Sequence, residues 1–452
     1  MKVIQLSFIV IGMICQPVFS RCQQISAGDA HSIIICGDGS LSAAGRNSGG
    51  TLGSGNFDDY TTPVAVSDLK DVKKVVAGGS YNVALKNDGT VWTWGLNYYG
   101  SLGNGNNDNQ HTPIKISFSE KIVDIASGKA HVLVVDAKGN VWSWGSNSSG
   151  QLGTGDKTNT NSPGVVSGLS NITKVYCGEN TSFAIDGNGQ AWAWGPNGRG
   201  VLGDGTKTER LTPVQIAYKG VVKQISAGYG HTLFLTINHQ ILSCGYNLNG
   251  QLGDSTTSDR QDPTIIQGLP FMTYVATQSF GSFGVDTMGF VWVWGDNHGG
   301  ALGDSTKDDH HFPVKLTTIQ NIKEIQCGEF HTVAKSGSGS LWGWGSNFDK
   351  QLGDWSGDLL IPTELTGFCT GIIGTVEPIG SSYQLYPNPS QNGTFNIEGL
   401  SGTETITIMH TDGKIQHLDQ TDQPFHIEDP GIYLIQIRSE DEVRTIKLMV
   451  VE

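Results

Sequence analysis

Four histidines, His31, His131, His231 and His331, stand one hundred residues apart, with Tyr81, Thr181 and Gly281 at the intervening positions. Imidazoles arranged in this way could bind a divalent metal or move protons. Acidic loops supply a second candidate chemistry: GNFDDY, GDSTTSD and GDSTKDDHH carry clusters of oxygen ligands, and Asp308, Asp309, His310 and His311 offer a mixed set. Gly198, Gly200 and Gly203 spell G-x-G-x-x-G, the spacing of a phosphate-cradling loop. None of these survives its context. Calcium takes about six or more oxygens at one point, and no loop keeps the alternating acidic spacing with its Gly and terminal Glu. The glycine pattern opens no crossover helix, and no nucleophile sits between a strand and a helix. No residue is therefore assigned to catalysis or to a metal, and no cofactor is expected.

The elements that position these residues form a repeat. WGSNSSGQLG begins at Trp144, with close copies at Trp94, Trp194, Trp294 and Trp344, a variant at Cys244 and a worn copy at Ala44, always fifty residues apart. Each unit holds four short apolar segments, as in VKKVVAG, NVALK, TVWTWG and PVAVS, bounded by Gly, Asn, Asp or Pro. Their length suits strands, and none sustains a helical period. The Trp pairs 92/94, 142/144, 192/194, 292/294 and 342/344 are two apart, so in a strand both rings share a face. A stripe of that kind on five of the seven units, with Ser42 and Ala44 in the first and Leu242 and Cys244 in the fifth, predicts packing of one sheet on the next. Four strands per unit at this period is the signature of a propeller blade, and closure of the ring removes exposed sheet edges.

The fold class expected is all-β: a seven-bladed β-propeller of four-stranded blades over 22–369, then a small C-terminal β-sandwich. The sequence places adjacent blades too far apart for their histidines to share one ion. Within G-x-N-x-x-G-x-L-G, the glycines suit tight corners, the Asn can bond nearby backbone, and the Leu pins the turn to the core. The last segment, 362–367, is expected to complete the blade begun by 23–47, bringing Cys22 and Cys369 together as a ring-closing disulfide. Such a long loop implies a gain of several kcal/mol.

A formal net charge of −14 with no basic cluster argues against nucleic acid as a partner. Residues 1–20 read as a secretory signal peptide, because Lys2 precedes an apolar run too short to span a bilayer. The mature chain is then expected in an oxidising compartment, with no transmembrane segment. Residues 370–381 read as a linker and 382–452 as a separate domain of alternating strands.

The repeat resembles that of the regulator of chromosome condensation family: A-G-x-x-H-[ST], D-G-x-V-W and G-x-N-x-x-G-x-L-G recur in order across 22–368. The units are similar to those of compact bacterial members such as the beta-lactamase inhibitory protein of this repeat type. The resemblance implies the propeller, but members differ in activity, some exchanging guanine nucleotide and others clamping a protein. The C-terminal stretch is similar to a type IX secretion sorting domain, carried by Tyr386, Pro387, Asn388 and Pro389 and by Gly431 and Tyr433. That resemblance implies the type IX machinery as a partner and a product secreted or attached to the outer surface.

Inside the fixed A-G-x-x-H frame, two positions vary, and in a propeller they ring one end of the channel. Asp29, Lys129, Glu179, Asn180, Tyr229, Phe280, Glu329 and Phe330 are the candidate binding residues there. Aromatic anchors among charges fit an interface for a protein or glycan. A second set, Tyr98, Tyr99, Arg199, His298 and Phe348, is assigned to the blade edge. The expected function is a non-catalytic binding module. The alternative is a secreted lyase or hydrolase at the propeller mouth. Guanine-nucleotide exchange follows only from the family name and would need a cytosolic location.

Overall fold

A computed structural model describes residues 22–353 and 357–369, together with strands between 384 and 451. The expected signal segment 1–20 and the linker 370–381 lie outside the described residues. The chain divides into two compact units, Met1–Ile372 and Ile373–Glu452.

The first unit holds seven antiparallel sheets of four strands, and each sheet is built from consecutive segments. Blade one consists of Gln24–Ala27, His31–Ile35, Leu41–Gly45 and Val64–Ala65. Blade seven consists of Ile322–Cys327, His331–Ser336, Leu341–Gly345 and Leu359–Glu364. The expectation that one blade combines both chain ends is therefore corrected: 359–364 completes blade seven, and blade one closes its own sheet with Val64–Ala65. Innermost strands touch in sequence around the ring, and that of blade seven touches that of blade one.

Two devices recur between neighbouring blades, and both reside in the repeated spelling. The second Trp of each pair is fully buried, as at Trp94, Trp144, Trp194, Trp294 and Trp344. Trp144 Nε1 donates to Ser101 O at 2.9 Å and Trp294 Nε1 to Gln251 O at 2.9 Å, each a carbonyl in the preceding blade's corner. The Leu-Gly glycine that follows must be small: a Cβ on Gly153 would lie 2.8 Å from Trp194 Nε1. An indole buries about 150–250 Å², so each ring contributes at most about 4–6 kcal/mol at about 25 cal/mol/Å².

Buried histidines are the second device. His31 Nε2 meets Asn82 Oδ1 at 2.9 Å, His131 meets Ser182 Oγ at 3.0 Å and His231 meets Ser282 Oγ at 2.8 Å. His331 Nε2 meets Ser32 Oγ at 3.0 Å, carrying the same bond across the seam from blade seven to blade one. Each imidazole is a blade-to-blade strut. Burial keeps them neutral, with His31 and His131 lowered to about 4 and His231 and His331 to about 3.

The corner motif works as its residue types suggest. Asn147 is fully buried, its Oδ1 accepts from Leu152 N at 2.9 Å, and its Nδ2 donates to Asp156 O at 3.1 Å. Acidic side chains of the following loop hold this corner as well: Asp259 Oδ1 accepts from Asn247 N and Asp309 Oδ1 from Asn297 N.

The seam also carries a disulfide, but Cys36 takes the place expected of Cys22: Cys36 and Cys369 are bonded, with Cα atoms 5.5 Å apart. Cys22 is a buried free thiol packed with Ile25, Leu365 and Phe368, and burial pushes its thiol up to about 12. Its Sγ donates instead to Gln24 O at 3.4 Å.

In the second unit, Gln384–Tyr386, Thr394–Glu398 and Phe425–His426 form a three-stranded sheet. Thr405–His410, Ile415–Leu418, Gly431–Arg438 and Val443–Val451 join the short strand Ser390–Gln391 in a five-stranded sheet. Gly431 and Tyr433 lie in the long central strand and Tyr386 ends another, while Pro387, Asn388 and Pro389 lie outside the described residues.

Candidate functional site

The A-G-x-x-H turns become seven tips around the end of the central channel. Their tightness follows from the Gly. The imidazole folds back over it, so a Cβ on Gly28 would stand 2.3 Å from His31 Cε1 and 2.3 Å from Gly78 O of the next blade. Adjacent tips are bonded through their backbones: Asp29 N donates to Gly79 O, Gly79 N to Lys129 O, Lys129 N to Glu179 O, Glu179 N to Gly228 O and Tyr229 N to Ser279 O, at 2.9–3.4 Å. Blade six keeps the volume by exchanging sizes. Gln278 replaces the Gly, Gly281 replaces the His, and a Cβ on Gly281 would lie 3.0 Å from Gln278 Oε1.

The first variable residue of the tips gathers around the mouth. Lys129 Nζ lies 3.7 Å from Asp29, 3.6 Å from Glu179 and 3.9 Å from Glu329. These carboxylates come from blades one, four and seven, so the lysine reaches across the opening. Ser279 Oγ donates to Glu179 Oε1 at 2.8 Å, spanning the tip that carries Tyr229. Burial, opposed by Lys129 and assisted by Glu329 and Glu179, raises the Asp29 carboxyl to about 6.

The second variable residue turns outward and binds the corner motif of its own blade. Ala30 O accepts from Arg46 N, Ser80 O from Leu96 N, Gly230 O from Tyr246 N and Phe330 O from Ser346 N. Tips and corners therefore share one face. The corner residues assigned to the blade edge belong to this face as an outer ring, with Tyr98 71% and Phe348 85% exposed. Between the rings, Tyr229 and Phe280 meet at 5.5 Å, Tyr246 and Phe280 at 5.8 Å, and the Arg199 guanidinium stacks 5.1 Å above Tyr246. Phe330, on the neighbouring tip, is half exposed. Asn180 points to the outer ring too, its Oδ1 accepting from Gln151 Nε2 at 3.5 Å.

Sequence reasoning missed the channel wall. One slot of each innermost strand carries a polar side chain that grips a neighbouring blade. Gln24 donates to Val75 O and accepts from Val75 N, at 3.0 and 2.8 Å, and Gln224 makes the same pair of bonds with Val275. Lys74 pairs with Asp124 at 2.6 Å. The signal was present as a polar residue at the same place in each unit, but it reads as an ordinary solvent-facing strand position. Beneath the tips the wall encloses a cavity of about 340 Å³. Each of the four histidines is spent on its own strut.

Comparison with known proteins agrees with this architecture. The RCC1-like domain pattern matches residues 11–317, the regulator of chromosome condensation (RCC1) repeat matches 322–351, and the secretion system C-terminal sorting domain matches 384–452. No curated protein sequence matches the chain. Among solved structures, Prp20p of Saccharomyces cerevisiae is similar at 25% identity and a TM-score of 0.62, covering 69% of this chain and 82% of that one. Human WBSCR16 shares the fold at 20% identity and a TM-score of 0.62, covering 68% and 84%. No helix among the described residues is long and apolar enough to cross a membrane. Seven blades, five of them Trp-striped, with their tips in the A-G-x-x-H slot and matched over most of their length, mean that the chain belongs to the RCC1-like domain family, and its C-terminal sorting domain makes it a protein secreted or held at the outer surface through the type IX machinery.

Proposed function

We propose that the propeller is a non-catalytic binding module whose tip-and-corner face engages a protein or glycan partner. The observation that carries this reading is the ring of varied aromatic side chains on that face. Tyr229 and Phe330 on the tips and Tyr98, Tyr99 and Phe348 on the corners are exposed, with Phe280 half-buried between them, on a backbone frame held by tip-to-tip and tip-to-corner bonds. A rigid frame with aromatic anchors loses little conformational freedom on binding. Prp20p, whose structure is described with its binding to Gsp1p and histones, is a protein binder built on the same fold, and it supports a protein as the partner class. In this reading the boundaries 22–369 for the propeller, 370–381 for the linker and 382–452 for the sorting domain, a β-sandwich, divide binding from export.

Capture of partners from surface-exposed proteins and glycans, compared between the natural chain and a Tyr229→Ala, Phe280→Ala, Phe330→Ala variant, tests the face. A partner held equally by both would remove it. Turnover of a polysaccharide or peptide library by the natural chain would favour the lyase or hydrolase alternative.

A further inference from the structure

We infer that the channel mouth receives a lysine or arginine side chain of a protein partner, seated among Asp29, Glu179 and Glu329 beside Lys129. This rests on the binding-face reading and narrows it to a protein.

The seven inward tip residues are Asp29, Gly79, Lys129, Glu179, Tyr229, Ser279 and Glu329, three carboxylates against a single cation. Among the described residues, Lys129 is the one ion-pair partner of each of the three. Its distances of 3.6–3.9 Å exceed the roughly 2.7–2.9 Å of a formed charge-assisted hydrogen bond, so carboxylate lone pairs remain open to a second cation. The carboxylate side chains are 31%, 18% and 34% exposed, within reach of a partner yet shielded enough to strengthen a charge pair over one on open surface.

Beside the mouth, Tyr229 and Phe330 present half-exposed rings that suit the alkyl stem of a basic side chain and its charge. A glycan hydroxyl would meet the carboxylates but not relieve their excess negative charge.

The probe is a blocked pentapeptide, Gly-Phe-Arg-Phe-Gly, and its citrulline counterpart, titrated into the full chain by calorimetry at about 50 mM salt, where charge pairs are weakly screened. The arginine peptide is expected to bind one per chain, and the neutral peptide about tenfold or more weaker. The double variant Glu179→Gln, Glu329→Gln keeps the acceptor for Ser279 and is expected to lose the same factor. Glu120→Gln, whose carboxylate pairs with Lys138 at the opposite end of blade three, is expected to bind as the natural chain does. Equal binding of the two peptides, no binding of the arginine peptide, or an unchanged affinity in the double variant overturns the inference. A captured partner lost by the Tyr229→Ala, Phe280→Ala, Phe330→Ala variant but kept by the carboxylate variant overturns the cationic anchor alone. A partner kept by both removes the face as well.

Discussion

Reduction of the Cys36–Cys369 bond should loosen the ring by an amount set by the loop it closes. The two residues are 333 apart in sequence. Chain-entropy arithmetic for a loop of that size gives about 6 kcal/mol, and removal of native disulfides typically costs about 2–5 kcal/mol, so about 3–6 kcal/mol is the expected range. A propeller of this length has an unfolding entropy of about 0.7 kcal/mol/K, and the melting temperature should fall by about 4–8 °C on reduction. The assay is a thermal melt with and without dithiothreitol on the natural chain and on Cys36→Ser and Cys22→Ser. Cys36→Ser should melt low and ignore the reductant. Cys22→Ser should lose a little from polarity placed in the seam core, yet keep its response to reductant. If Cys22→Ser alone abolished that response, or peptide mapping joined residue 22 to residue 369, the account of the seam would be wrong.

The buried histidines make stability fall with acid. Their folded-state values are depressed to about 4 for His31 and His131 and about 3 for His231 and His331, below the ordinary 6.5. Their contribution is full above pH 6.5, and each loses about 1.4 kcal/mol per pH unit as the pH falls from there toward 4. Denaturant midpoints across that window check this, and a flat profile would contradict it. Asp29 has the opposite sign for stability: raised to about 6, its ionised form strains the mouth, and protonation between pH 6 and 4 relieves it. Affinity for the arginine peptide should accordingly decline as the pH passes below 6, and Asp29→Asn should remove that part of the decline. In blade six, Gln278→Gly and Gly281→His should each destabilise, the first by emptying space and the second by crowding. The double variant should recover, with a coupling of about 1–3 kcal/mol in a thermodynamic cycle. Additive effects would mean that the two residues do not exchange volume.

Most of the architecture is legible because each recurring residue type has one geometric use. Trp144 must find a neighbouring sheet, Asn147 must satisfy a corner, and Gly28 must make room for His31. The blade phase was less legible. PVAVS, which holds the strand Val64–Ala65, can be grouped with the segment that follows it as readily as with the one before, and grouping it forward leaves the last segment to finish the first blade. The choice of cysteine failed for a related reason. Gln24 lies opposite Ile35 in the sheet, which puts Cys22 and Cys36 at the same end of neighbouring strands. Spacing identifies that end of the blade, but side-chain direction decides that one thiol faces the core and the other faces Cys369. At the mouth, the sequence names the tip residues but not that Lys129 reaches three blades at once, nor that corners and tips share a face. Those follow from strand direction and ring diameter, which no single repeat contains.

Because every propeller sheet is made from an unbroken stretch of chain, a blade can complete its own hydrogen bonding as soon as its fifty residues are free. Only the junction between the first and seventh sheets must wait for the end of the array. Until then Ser32 lacks its imidazole partner and Cys36 its sulfur partner. A chain delivered from its N-terminus would therefore mature as an open arc with two unsatisfied flanks, and covalent locking would be the last event of its assembly.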